Sequence, residues 1–214
     1  MAKGFDMVYA EGGVLNTREK AFEKAMQRRN EYTPKLEEFF NVPGFYHEKI
    51  ENDIRFTTRK KGTFDTARYT VEQAKRAGVL EVILAENIEL SNWLGERVET
   101  VFASEYDDLA NGVDFAIMLA GLQESAPRYL AVDVTFSQQQ VVSKLRKIKE
   151  KIDSGDLTRI EYCQDSEGEK YSPGQVPQCI LLFDETATDH LTRLWVEKRK
   201  RELEHHPFQF ALVE

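Results

Sequence analysis

Two acids sit inside two apolar runs of this chain, and that pairing limits the possible folds more than any other feature. The stretch from Asn111 to Ser137, NGVDFAIMLAGLQESAPRYLAVDVTFS, holds the runs Gly112 to Leu119 and Tyr129 to Phe136, interrupted by Asp114 and Asp133 respectively. Short apolar runs rich in β-branched and aromatic residues, joined by a polar, Pro-containing connector from Gln123 to Arg128, predict a hairpin. A carboxylate inside a buried strand is costly unless it is paired, hydrogen-bonded or bound to a cation. Two readings are open. In one, Asp114 caps a turn and Asp133 pairs with an arginine such as Arg128 or Arg97. In the other, the two acids face each other and, with the Val134 carbonyl, form half a cage for a hard divalent cation.

The remaining composition narrows the class. At 214 residues and 41% apolar content, the chain is long enough for one domain with a sizeable core, or one domain with a helical extension. The sequence has no run of about 18 apolar residues, so no membrane span is expected. MAKGFDMVYAEGG lacks the apolar centre of a secretory signal. Cys163 and Cys179 show no metal-type spacing, which fits a reduced, cytoplasmic protein. A net charge of −8 argues against attraction of the whole surface to nucleic acid and leaves that task to local basic patches.

Periodicity predicts a helix over Thr17 to Glu31, with Ala21, Phe22, Ala25 and Met26 inward, and one or two further turns at Leu36, Phe39 and Phe40. Ile54 to Thr58 alternates like an exposed strand, and Arg59-Lys60-Lys61-Gly62 reads as a turn. That turn is either a solvated loop or a phosphate contact. Thr70 to Arg76 reads as a short helix closed by Gly78. Glu86 to Ala103 shows the most continuous apolar stripe, Leu90, Trp93, Leu94, Val98, Val101 and Phe102, and is expected to be helix. Glu99 on that helix is either a solvated acid or a third group aimed at the hairpin. Ser137 to Ser154 is a helix capped by Ser137, with Val141, Val142, Leu145, Ile148 and Ile152 buried and Lys144, Arg146, Lys147, Lys149 and Lys151 around the remainder. Then follow a strand at Ile160 to Cys163, a polar loop from Gln164 to Pro177, a buried strand at Gln178 to Phe183, a helix from Thr186 to His205 and a last, edge-type strand at Phe208 to Val213. This order predicts an α/β protein with a mixed central sheet flanked by helices. Residues 1–85 are expected to form a helical or irregular extension packed on a core of residues 86–214.

At Gly95-x-x-x-Glu99, Gly112-Val113-Asp114, Val132-Asp133-Val134-Thr135 and the Gln-containing helix that follows, the chain resembles the restriction-endonuclease-like fold of the PD-(D/E)XK nuclease superfamily. The resemblance spans Glu86 to Phe183. It implies that Glu99, Asp114 and Asp133 bind Mg²⁺ or Mn²⁺, and that Gln140 or Gln139 is the glutamine of the helix after the second acid. The family's lysine stands two residues after that acid, where this chain has Thr135, which carries no charge. Lys144 or Lys147 on the next helix is then the candidate to replace it.

The function implied is a metal-dependent nuclease acting on DNA or RNA, with Asp114, Asp133, Lys144 and Gln140 as catalytic groups. Arg59, Lys60, Lys61, Arg128 and Lys147 are the expected phosphate contacts, and a homodimer is a possibility the resemblance raises. The alternative is a catalytically inactive module of the same fold, serving binding or assembly, which the absent lysine and the acidic net charge favour.

Overall fold

The computed structural model describes residues 13–63, 71–121, 126–136 and 138–213. It is a mixed α/β protein, as the order of elements predicts. The N-terminal helices are α1 (Gly13–Tyr32), α2 (His47–Thr63) and α3 (Val71–Leu90), with a 3₁₀ turn at Leu36–Phe39. The central sheet takes β1 (Val98–Phe102), β2 (Phe115–Leu119) and β3 (Arg128–Thr135), with the short α4 (Glu105–Asn111) between the first two. After β3 come α5 (Gln138–Asp153) and four short strands: β4 (Thr158–Ile160), β5 (Cys163–Gln164), β6 (Lys170–Tyr171) and β7 (Gly174–Val176). The chain then forms β8 (Gln178–Leu182), α6 (Glu185–Val196), α7 (Lys200–Glu204) and α8 (Phe208–Val213).

The sheet order is β1-β2-β3-β8. The first three strands are antiparallel, and β8 lies parallel to β3, with Asp133 opposite Ile180. A parallel neighbour requires a crossover, and α5 supplies it. Side chains alternate across the strands. Phe115, Ile117, Val132 and Val134 pack on the side of α3, α1 and α6, in one core with Leu80, Ile83, Leu84, Ile88, Leu191 and Leu194. Ala116 and Ala131 face the opposite way, toward Ile160, Cys163 and Val176 of the short ribbons. Asp133, between Val132 and Val134, shares that second face.

Several sequence expectations are corrected here. Ile54 to Thr58 lies inside α2, because Ile50, Asp53 and Thr57 are buried at helical spacing, and Arg59 to Gly62 is part of the same helix. Gly78 does not end a helix; α3 runs through it to Leu90. The helix expected over Glu86 to Ala103 therefore stops early, at a turn where Asn92 and Gly95 take positive φ, and Val98–Phe102 is strand. The boundary placed between residues 85 and 86 falls within α3, whose Val79 to Ile88 segment is central to the core. The loop from Gln164 to Pro177 contains strands of two small ribbons, β4 with β7 and β5 with β6. The helix expected to reach His205 breaks at Lys198, with φ 57°, and Phe208 to Val213 is helix, with Phe208 against Phe183 and Trp93. Val142, Leu145 and Ile152 of α5, expected inward, are 51–60% exposed, because α5 turns the face of Val141, Lys144 and Ile148 inward, with Lys144 on Asp133. Ser137, the expected cap of α5, lies outside the described residues, as does much of the Gln123 to Arg128 connector. Among the described residues, no helix is long and apolar enough to cross a membrane.

Candidate acidic site

Asp114 and Asp133 come together as the hairpin pattern predicts. Asp114 stands just before β2, and its backbone N–H donates to the Val132 carbonyl at 2.9 Å. Its Oδ2 accepts from the Val134 N–H at 2.6 Å, so the carboxylate is fixed beside the strand that carries Asp133. Asp133 is 4% exposed, and Lys144 of α5 reaches back to its Oδ1 at 2.5 Å. Residue 144 lies about two turns into α5, and Asp133 lies two residues before the end of β3, so a long side chain spans the gap. Thr135, at the position where a lysine was expected, donates its hydroxyl to Gln140 Oε1 at 3.4 Å.

The third acid is Glu81, not Glu99. Glu99 lies on β1 opposite Met118, while Asp114 bonds to Ala103 at the other end of that strand. Four residues of strand put roughly 13 Å between those positions along the sheet. Glu81 comes instead from α3 and is 7% exposed. Its Oε2 receives Arg29 Nη1 from α1 at 3.0 Å, and Arg29 Nη2 reaches Asp108 of α4, also at 3.0 Å. Four carboxylates, Glu81, Asp108, Asp114 and Asp133, therefore share one region with two cations, Arg29 and Lys144.

Their ionisation follows from burial and from one another. Burial pushes Glu81 up to about 7, against the pull of Arg29, with Asp108 and Asp133 adding to the rise. Burial also holds Asp114 well above the ordinary carboxylate range, reinforced by Glu81, Asp108 and Asp133. Asp133 is raised by burial, and Lys144 partly offsets this. Asp108 is raised by burial and opposed by Arg29. Like charges at close range in a desolvated site produce this pattern.

The expected phosphate contacts are spread out. Lys61 pairs with Glu105 at the start of α4, at 2.6 Å, Lys60 sits over the Phe56 ring, and Arg59 is on the same last stretch of α2. Arg128 begins β3, five residues from Asp133, and pairs in register with Leu119. It is thus about 16 Å away along the strand, which also removes it as a partner for Asp133. Arg97 precedes β1 at that same far end, its carbonyl bonded to Ala120. Lys147 is exposed, one turn beyond Lys144 on α5.

Sequence reasoning missed Glu81, Asp108 and Arg29. Glu81 carried the signal that marked the two aspartates, a single acid within an apolar run, Val79-Leu80-Glu81-Val82-Ile83-Leu84-Ala85. Among the described residues, no three carboxylate, imidazole or thiol side chains are grouped so as to hold a metal ion. No protein-family model, curated protein or solved structure matches the chain.

Proposed function

We propose that this protein is a metal-dependent phosphodiesterase acting on nucleic acid, with Asp114, Asp133 and Lys144 as its reacting groups and Glu81 in the role expected of Glu99. The carrying observation is the Lys144–Asp133 contact within a buried group where carboxylates outnumber cations by two. A lysine beside the second strand acid supplies the positive charge that Thr135 lacks.

The donor chemistry suits Mg²⁺ or Mn²⁺: hard carboxylate oxygens from a group with more acids than cations, whose raised proton affinity an ion would relieve. The arrangement is not closed around an ion, because Arg29 and Lys144 take up carboxylate oxygens. When bound, a divalent ion offsets the charge of a phosphodiester and acidifies water. The chain's own groups do the rest. Val134 N–H fixes the Asp114 carboxylate. Asp133 holds the Lys144 amine where it can meet a phosphate oxygen. Glu81, balanced near neutrality, holds or yields a proton without a large cost. Exposed Arg146 and Lys147 on α5, the helix that carries Lys144, give a local basic surface for backbone phosphates, so binding weakens steeply with salt.

The second reading, an inactive module of the same fold, is favoured by the ion pairs that occupy the carboxylates. One assay separates the two. Plasmid, single-stranded DNA and RNA are each incubated with the protein and Mn²⁺, beside Asp114→Asn and Asp133→Asn. Metal-dependent cleavage lost in both variants supports the enzyme; no cleavage of any substrate leaves the module.

A further inference from the structure

Away from the acidic group, α1, α3 and α6 line a cavity of about 80 Å³. Its cations are Arg18 of α1 and Lys75 and Arg76 of α3. Each arginine reaches an acid of α6 with one terminal nitrogen, Arg18 Nη2 to Asp189 at 2.7 Å and Arg76 Nη1 to Glu185 at 3.1 Å. Those pairs leave most of the donors of each guanidinium unused. The Nε of each is buried and has no hydrogen-bond partner among the described residues. A buried donor without an acceptor is costly. Two such arginines on one cavity point to an acceptor that the protein's own side chains do not supply.

Lys75 pairs with no acid among the described residues, and its ammonium lies 4.9 Å from the centre of the Phe22 ring on the cavity wall. Glu19, which also lines the cavity, is exposed. The α6 acids are more exposed than the arginines they meet: 43% for Asp189 against 30% for Arg18, and 72% for Glu185 against 18% for Arg76. Exposed ion pairs are weak, so these acids can turn to water while the guanidiniums stay in place. By the volume one water needs, the cavity admits roughly five to eight waters, which is the size of a phosphate group and too small for a whole nucleotide. A planar carboxylate is satisfied by a single fork, whereas forks from two helices and an ammonium suit a group with more acceptor oxygens. We propose that this cavity binds a phosphate group, either inorganic phosphate or the terminal phosphate of a small phosphomonoester, through Arg18, Lys75 and Arg76. Arg18 stands roughly 16 Å along α1 from Arg29, so this site and the metal-dependent reading stand or fall separately.

The test is calorimetric titration of the full chain with inorganic phosphate, glycerol 3-phosphate and acetate at fixed ionic strength, with urea unfolding alongside. The proteins are wild type, Lys75→Gln, Arg76→Gln and Asp189→Asn. Wild type should bind phosphate about tenfold more tightly than acetate. Tighter binding of glycerol 3-phosphate than of inorganic phosphate supports the site and assigns its ligand to the esters; the reverse order supports it and assigns the free ion. Lys75→Gln should weaken phosphate binding about tenfold with a nearly unchanged urea midpoint, since Lys75 holds no acid. Arg76→Gln should weaken it about thirtyfold. Asp189→Asn removes the acid that competes for Arg18 and should tighten phosphate binding about threefold. A purely structural ion pair would not give these opposite signs. Should Arg76→Gln fail to fold, Lys75→Gln and Asp189→Asn decide. Wild type that binds no phosphate, acetate bound as tightly as phosphate, or phosphate binding equal in all the proteins overturns the proposal.

Discussion

Asp107 and Asp108 are neighbours on α4, and they show two ways of burying a carboxylate. Asp107 is fully buried, and its oxygens accept from the Ser104 hydroxyl at 2.8 Å, the Asn111 amide at 2.9 Å and the Glu161 and Tyr162 N–H groups at 2.9 and 3.0 Å. Each of these donors is neutral. Burial still pushes Asp107 up to about 6, with those bonds pulling the other way. Asp108 instead meets Arg29 and joins Glu81, Asp114 and Asp133 in a group of charges. Neutral donors tie chain segments together and leave the acid no further business. Charged neighbours leave an excess charge that a proton, an arginine or an ion can each satisfy. Burial alone does not distinguish a structural acid from a reactive one; the identity of the donors does.

Substitution on the two sides of this comparison should therefore separate activity from stability. The largest expected effect is at Asp133. Asp133→Asn should lower Mn²⁺-dependent cleavage by about 10³-fold, or roughly 4 kcal/mol of transition-state stabilisation, with a modest loss of stability, because relief of a buried charge offsets the lost Lys144 pair. Initial rates on the best substrate and a urea curve measure both. A variant that cleaves like wild type would move the chemistry elsewhere. Asp107→Ala should do the reverse. It strips acceptors from two backbone N–H groups, at about 1–3 kcal/mol each, and should cost about 3 kcal/mol of stability or more. Its activity at a temperature where it stays folded should match wild type. Lys144→Met should reduce cleavage by about 10²-fold, since it removes one positively charged donor from the reacting centre. Its stability should also fall, as Asp133 is left buried and unpaired.

Much of the site was visible in the sequence for the same reason that it is costly. Asp114 and Asp133 stand out because they break apolar strands, and Lys144 is within reach because α5 starts right after β3. Glu81 breaks an apolar run equally well. It was hidden because Val79 to Ile88 is buried on nearly every side, which erases the stripe that marks an amphipathic helix. The turn and strand from Leu90 to Phe102 imitated that stripe instead, and so drew Glu99 into a helix it does not occupy. Gly78 added to the error by looking like a stop, although a buried helix can carry a glycine at modest cost. Arg29 and Asp108 are 79 residues apart. No local period encodes such a pair, because the meeting depends on how α1, α3 and α4 pack. The mixed α/β class was readable from element order alone, whereas the β4–β7 and β5–β6 ribbons were not, being two or three residues long within a polar segment.

The smallest expected effect is also the most direct reading of the charge group. Glu81 is raised from 4.5 to about 7, so between those values the folded chain holds a proton that the unfolded chain releases. Stability from this group is complete below about pH 4.5 and is lost as the pH rises through about 7. Wild type should accordingly lose on the order of 2 kcal/mol from this group between about pH 5 and pH 8. Asp107, raised to about 6, contributes a slope of the same sign. His206 works in the opposite sense, since burial and His190 lower it and its contribution is lost as the pH falls. Both act equally in wild type and in Glu81→Gln, so the difference between the two proteins reads Glu81 together with Asp114, whose rise Glu81 reinforces. Urea midpoints at half-unit pH steps should show the Glu81→Gln curve flatter than wild type over that window. Parallel curves would mean that Arg29 keeps Glu81 ionised throughout, and the acidic group would then resemble the neutral-donor cluster around Asp107 in being fully satisfied.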